Sequence, residues 1–212
     1  DLEKKDFVYK PGSIMHQFVL ADEINRASPR TQSSLLEAMQ DQSVSVDGRT
    51  YRLPEPFFVV ATQNPSEFIG AFHLPEGELD RFGIALSIGY PLASEEKTIL
   101  ARFQNDQPLA RIRPIMSPQE VIETREQVRR VQIADSVKDF VIQVANKTRA
   151  SRYIRLGASP RASLHLQIAA QGYAYLDGRT FVIPEDVMAV AAPVLAHCII
   201  LSAEARMENK SA

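Results

Sequence analysis

Phe18 to Gln40 reads FVLADEINRASPRTQSSLLEAMQ, and the fold class turns on this stretch. Four apolar residues, Phe18 to Ala21, run into two adjacent carboxylates, Asp22 and Glu23. A short polar turn follows. Ser28 then suits an N-cap and Pro29 the first helical position. Leu35, Leu36 and Met39 give an apolar stripe to about Gln40. A buried strand that ends in acids delivers charge to the carboxyl edge of a sheet, where open α/β sheets bind their ligands. In nucleoside-triphosphate chemistry an acid placed there helps hold the Mg²⁺ that bridges the phosphates, and a second acid can position or deprotonate the attacking water. An acidic turn closing a buried strand has the same local pattern. This stretch alone leaves both readings open.

Outward from it, the first half alternates strand and helix. Ser43 to Val46 and Thr50 to Leu53 flank Asp47-Gly48, a strong hairpin signal. Phe57 to Thr62 reads as a second strand, whose connection back to the first is long enough for a parallel crossover. A Gly/Pro-bearing loop, Pro65 to Pro75, leads to a short helix around Gly77 to Arg81. Ile84 to Ile88 alternates as a last core strand, closed by Gly89-Tyr90-Pro91. After Pro91 the pattern turns helical. Ser94 reads as the cap of a helix to about Gln104, with Glu95 and Glu96 in its first turn. Gln107 to Pro114 reads as a linker, and Ser117-Pro-Gln-Glu120 as a capping box. Val137, Phe140, Val141 and Val144 share a helix face, Ser159-Pro160 opens a helix to about Leu176, and Pro184 opens the last, bent at Pro193. The division falls near Pro91 to Ser94, giving units 1–92 and 93–212.

Four segments combine into a more specific pattern. They are DEINRASPRTQSSLLEAM, VVATQNP, LPEGELDRF (Leu74 to Phe82) and RLGASPRASL, in this order and spacing. Together they resemble the MoxR family of AAA+ ATPases, from about Phe7 to Leu201. The resemblance implies an α/β fold: the C-terminal part of a parallel-sheet AAA+ P-loop core (1–92), followed by an all-α helical lid (93–212). One feature of the family is absent. A phosphate loop needs G-x-x-x-x-G-K-[ST], and no glycine in this sequence is followed by lysine. In the family that loop precedes the Asp22 strand, and about seventeen residues precede it here. The chain therefore reads as a fragment, the back half of the core plus its lid. The parent is expected to bind ATP and Mg²⁺, and this piece alone to be inactive.

The resemblance also assigns roles residue by residue. Asp22 would hold Mg²⁺ through water, and Glu23 would orient and polarise the attacking water. Asn64 looks like the sensor at the tip of the second strand, where an amide can bond the γ-phosphate or the water without adding charge; an Asn-Pro turn is the plainer reading. Arg81 resembles the family's arginine finger, acting in trans on the neighbouring subunit's nucleotide. Its alternative is a helix-end pair with Asp80 or Glu78. Arg161 lies in the first turn of the Ser159 helix, an unfavourable place for an unpartnered cation and a favourable one for a phosphate. It resembles the lid's sensor arginine, with an ion pair to a nearby acid as the alternative. Arg26 would contact a neighbouring subunit or lie solvated.

Composition sets the outer limits. With 45% hydrophobic and 24% charged residues the chain is ordinary for a globular protein. A net charge of −2 and a pI near 6.1 give no bulk electrostatic case for nucleic acid or anionic membrane. The apolar run Val187 to Ile200 is broken by Pro193 and His197, too short to span a bilayer. The single Cys198 cannot form an internal disulfide, and a cytoplasmic setting fits it. His16, His73, His165 and His197 show no metal-ligand spacing. The expected activity is Mg²⁺-dependent ATP hydrolysis by a ring, a hexamer. Its role would be chaperone-like remodelling or metal-cofactor insertion, with von Willebrand factor A proteins as partners. Two other readings stay open. One is a DNA-associated motor of the same clade, in which Arg49 and Arg52 of the hairpin touch DNA. The other is a non-catalytic interaction protein.

Overall fold

The computed structural model describes residues 12–64, 72, 74–105, 108–208 and 210. Strand β1 (Phe18–Ala21) leads through a 3₁₀ turn, Ile24–Arg26, into helix α1 (Pro29–Asp41). The Ser28 hydroxyl accepts the Thr31 amide at 3.3 Å, so the N-cap read from sequence forms. Strands β2 (Ser43–Val46) and β3 (Arg49–Arg52) pair antiparallel around Asp47 and Gly48, both at positive φ. That is the conformation a two-residue hairpin turn demands, and Gly48 adopts it without strain. Strand β4 (Phe58–Ala61) then returns beside β1 in parallel, Phe18 opposite Phe58 and Ala21 opposite Ala61. The crossover expected from sequence is thus present. One face of the pair turns Ala61 toward a small apolar cluster of Ile24, Leu36 and Leu74, joined by Phe82. The other face leaves Phe18, Leu20, Phe58 and Val60 exposed.

Helix α2 (Glu76–Leu79) is the short helix expected near Gly77. The loop before it falls largely outside the described residues. Ile84 to Ile88 does not form the expected strand. The segment runs without a ladder, and Leu86 and Ile88 are 80% and 98% exposed. A strand needs a neighbour to receive its amides, and among the described residues none runs alongside. Instead the Ala85 amide donates to the Pro193 carbonyl at 2.9 Å. Ser94 is not a cap either. Helix α3 (Ala93–Asn105) begins one residue earlier, and Glu95 closes its start by accepting the Leu92 amide at 2.8 Å.

The remaining helices are α4 (Pro118–Arg129), α5 (Asp135–Ala150), α6 (Pro160–Leu176), α7 (Pro184–Leu195) and α8 (Ala203–Met207). The capping box at the start of α4 forms in full, with Ser117 and Glu120 exchanging side-chain and backbone bonds. Between the helices lies a short antiparallel pair, β5 (Ile154–Leu156) with β6 (Ile200–Leu201), too brief to show a period in the sequence. A second apolar cluster holds α5, α6 and α7 together. Val137 and Val141 of α5, Leu166 and Ala170 of α6, and Val187 and Val194 of α7 are buried in it, with Cys198. Gln171, buried on α6, donates to the Val131 carbonyl at 2.8 Å. Pro193 lies inside α7, as the sequence indicated.

The loop before α6 is fixed tightly, and glycine is required there. A Cβ on Gly157 would sit 2.7 Å from the Arg149 Cα and amide nitrogen. The close approach lets Arg149 Nε donate to the Ala158 carbonyl at 2.8 Å, and the Ala158 amide to Thr148 Oγ1 at 2.9 Å. These bonds pin the start of α6 to the end of α5. They thereby set where Ser159 and Arg161 point.

Candidate functional site

The carboxyl ends of β1 and β4 build the site. Past Ala21 the chain turns sharply, and Glu23 takes left-handed backbone angles, φ 49° and ψ 52°. A non-glycine residue holds such angles at a cost, and only where its surroundings over-determine it. Thr62, just past β4, is what determines it. Its hydroxyl donates to Asp22 Oδ1 at 2.5 Å and accepts the Glu23 amide at 2.8 Å. Its amide donates to the Ala21 carbonyl and its carbonyl accepts the Ile24 amide, both at 3.0 Å. One residue of β4's extension therefore clasps the acidic turn by side chain and backbone together. The two carboxylates are left at consecutive positions on the rim.

Polar residues beneath the turn complete the support. Asn25, 6% exposed, reaches the Asn64 carbonyl with its side-chain amide at 3.5 Å, and its Oδ1 is buried without a partner among the described residues. Gln32, 1% exposed on α1, donates to the Ile24 and Phe72 carbonyls, each at 3.0 Å. The Phe72 amide in turn donates to the Asn25 carbonyl at 2.7 Å. Asn64 is half-buried beside this network. Asp22, Glu23 and Asn64 are thus brought to one end of the parallel pair. Glu23 is also met by Arg26, Nε to Oε2 at 2.7 Å, with both side chains substantially exposed. Arg26 therefore has an intramolecular partner, which neither sequence reading foresaw.

Arg81 and Arg161 form a second group. Arg81 follows α2, half-buried, its Nε without a hydrogen-bond partner among the described residues. It pairs with neither Asp80 nor Glu78. Glu78 instead accepts the Ser33 hydroxyl at 3.5 Å. Asp80 turns toward the α6 end, where Ser159 Oγ lies 2.7 and 2.9 Å from its two oxygens. Arg161 Nη1 stands 3.9 Å from the same carboxylate. The ion-pair alternative for Arg161 is therefore the arrangement present, though long and partly exposed. His165 and Cys198 border this seam. Burial pushes the His165 imidazole below its ordinary value. Burial and the neighbouring Asp80 carboxylate push the Cys198 thiol up to about 12, which leaves it an unreactive thiol at neutral pH.

Comparison with known proteins decides the family. Residues 1–84 match the model of the ATPase family associated with various cellular activities (AAA), and residues 146–212 match the AAA lid domain. The uncharacterized protein YeaC of Bacillus subtilis is 45% identical over 96% of this chain and 64% of its own length. Chaperone MoxR1 of Mycobacterium tuberculosis is 38% identical over 98% of this chain and 57% of its own. A crystal structure of a putative ATPase from Cytophaga hutchinsonii superposes over all of this chain and 67% of that one, with TM-score 0.90 and 35% identity. The chain belongs to the MoxR family of AAA+ ATPases. Its fold is part of the AAA+ core followed by a helical lid, and it spans about three fifths of the length of these curated relatives.

Within this MoxR-family chain, sequence reading missed Thr62, Asn25 and Gln32. Gln32 left a signal: it shares the helical stripe of Leu36 and Met39, where a buried amide must find partners. The residues present suit Mg²⁺. Asp22 offers a hard oxygen ligand steadied by Thr62, and Mg²⁺ uses one or two carboxylates and keeps its waters. Among the described residues no group of three or more His, Cys, Asp and Glu could cage a metal by itself. No helix among them is long and apolar enough to cross a membrane.

Proposed function

We propose that this chain carries the acidic, sensor and lid residues of a Mg²⁺-dependent ATP hydrolase that works as a ring. The observation that carries the reading is the Thr62 clasp, which fixes Asp22 and Glu23 as neighbours on the strand rim beside Asn64. In this reading residues 1–92 supply core and 93–212 lid. Asp22 holds Mg²⁺ through water, and the ion, when bound, neutralises phosphate charge. Glu23 orients and polarises the attacking water, with Arg26 restraining its carboxylate between turnovers. Asn64 offers an uncharged hydrogen bond to the γ-phosphate or the water. Arg81 reaches a neighbour's nucleotide, and Arg161 leaves Asp80 to meet phosphate. A pair as long as Arg161–Asp80, with its arginine partly exposed, is weakly held, worth about 0–1 kcal/mol. A phosphate can take its arginine.

The phosphate loop itself must come from outside this sequence, so the activity is that of a full-length family member containing it. The relative named Chaperone MoxR1 supports a remodelling role. A hexameric ring, von Willebrand factor A partners, metal-cofactor insertion and a cytoplasmic setting belong to the same proposal and rest on the family. In that full-length protein, Glu23→Gln should keep ATP binding and lose turnover by about 10²–10⁴-fold, the usual range for a general base. Steady-state hydrolysis alongside nucleotide titration reads both. Turnover within about twofold of wild type would show that Glu23 is not the water-orienting residue.

A further inference from the structure

Among the described residues, Asp80, Phe82 and Ala85 are hydrogen-bonded to the lid, and Arg81 is not. Asp80, on its N-terminal side, receives the Ser159 hydroxyl at 2.7 and 2.9 Å. Phe82, on its C-terminal side, accepts His197 Nε2 on its carbonyl at 2.9 Å, while its ring packs into the Ile24–Leu36–Leu74 cluster. The Ala85 amide donates to the Pro193 carbonyl. Arg81 itself makes no ion pair among the described residues, and its Nε is buried unpartnered. Its place is therefore set by its neighbours in the chain. The Asp80 side chain is 15% exposed. Its Ser159 partner caps α6 at the same time, accepting the Ala162 amide at 3.1 Å.

We propose that Asp80 is the positioning residue for Arg81, gripped by Ser159 so that Arg81 moves with the lid helix that carries Arg161. This rests on the reading of Arg81 and Arg161 given above. The Ser159 hydroxyl supplies the grip, because its contacts are short and its serine is fixed by the helix start. The Arg161 pair, at 3.9 Å, is the part that yields. When phosphate draws Arg161 and α6 shifts, Asp80 shifts with it, and Arg81 is re-aimed at the next subunit. Nucleotide state in one site thereby reaches catalysis in its neighbour through one residue. A displacement of about 1 Å at a catalytic group suffices for about a hundredfold change in rate.

The test uses the full-length, ring-forming protein. Asp80→Ala should lower kcat by about tenfold or more while ATP affinity stays within about threefold, the signature of an interaction needed only in the transition state. Asp80→Asn keeps an oxygen for Ser159 and should retain most of the turnover. Mixing Asp80→Ala with Glu23→Gln subunits should recover activity, as Arg81→Ala should, because both defects lie on the far side of the same interface. If Asp80→Ala does not fold, Ser159→Ala should lose turnover and Ser159→Thr, which keeps hydroxyl and cap, should restore it. Full turnover in Asp80→Ala or in Ser159→Ala, beside loss in Arg81→Ala, overturns the inference alone. So does an absence of recovery in verified mixed rings. Full turnover in Arg81→Ala overturns the reading of Arg81 and the inference with it.

Discussion

Asp186→Asn should loosen the helical unit that carries Ser159 and Arg161, by an amount the structure allows to be worked out. Asp186 is 1% exposed at the start of α7. It holds Arg179 with both oxygens, at 2.5 and 2.6 Å, and accepts the Ile183 amide at 2.8 Å. The clasp closes the loop between α6 and α7. Asparagine keeps the shape and one acceptor, but turns an amide N–H₂ toward the guanidinium. Breaking a buried pair costs about 3–5 kcal/mol when the survivor is stranded. Arg179 is not wholly stranded, since Asp177 lies 3.1 Å away and the Phe181 carbonyl 3.2 Å. The expected loss is therefore nearer about 2–3 kcal/mol, a fall in Tm of about 4–12 °C for a chain of this size. Asp177→Asn is the control. That carboxylate is 67% exposed, and its loss should cost under about 1 kcal/mol.

Urea unfolding followed by far-UV circular dichroism suits a chain without tryptophan. The pH dependence supplies the sharper test. The Arg179 hydrogen bonds, with the Ile183 amide, hold the Asp186 carboxyl below its ordinary 3.8 against the opposing effect of burial. A depressed carboxylate contributes stability that is complete above 3.8 and is lost as pH falls through its folded value. The gap between wild type and Asp186→Asn should thus be flat from about pH 8 to pH 5 and close in stronger acid. A gap under about 1 kcal/mol at neutral pH, or one unchanged near pH 3, would refute the charge-clasp argument.

Thr62→Val removes the hydroxyl shared by Asp22 and Glu23; in the full-length protein kcat should fall about tenfold and Thr62→Ser should restore it, and equal kinetics in all three would remove the clasp from the mechanism. Arg81→Ala should lose hydrolysis and keep nucleotide binding, and mixing it with Glu23→Gln should recover part of the activity at junctions where wild-type residues face each other; an active, stable monomer would exclude a trans role. His165 is depressed chiefly by burial, with Asp80, Arg161 and His197 as its charged neighbours. Its contribution is present above the ordinary 6.5 and drains as pH falls, so urea stability should drop from pH 7.5 to 5.5 in wild type and less so in His165→Gln; parallel slopes would rule it out.

Local grammar made much of this fold readable. The β1 run, the Ser28–Pro29 start, the Asp47-Gly48 hairpin and the Ser117–Glu120 box are each decided within four or five residues, and each forms. Other elements, decided from afar, were not readable. Ile84, Leu86 and Ile88 alternate as a strand does, but alternation cannot provide a neighbouring ladder. Ser94 looked like a cap until Glu95 took the Leu92 amide. Strands β5 and β6 are too short to carry a period, and meet only because α6 and α7 bring their ends together.

The candidate site divides along the same line. Asp22 and Glu23 announced themselves as charge after an apolar run, whereas their support comes from Thr62, about forty positions away and ordinary in its own context. Asp80 is the stronger case. Beside Arg81 it reads as a local ion-pair partner, because sequence proximity is the only geometry a sequence displays. In the fold, Ser159, 79 residues on, takes that carboxylate instead, and Arg81 has no ion pair among the described residues. A guanidinium freed in this way remains available for a ligand from elsewhere, as an arginine that completed a local pair would not. The residue that reads in sequence as a partner for Arg81 is therefore the one whose placement leaves it available for the role proposed above.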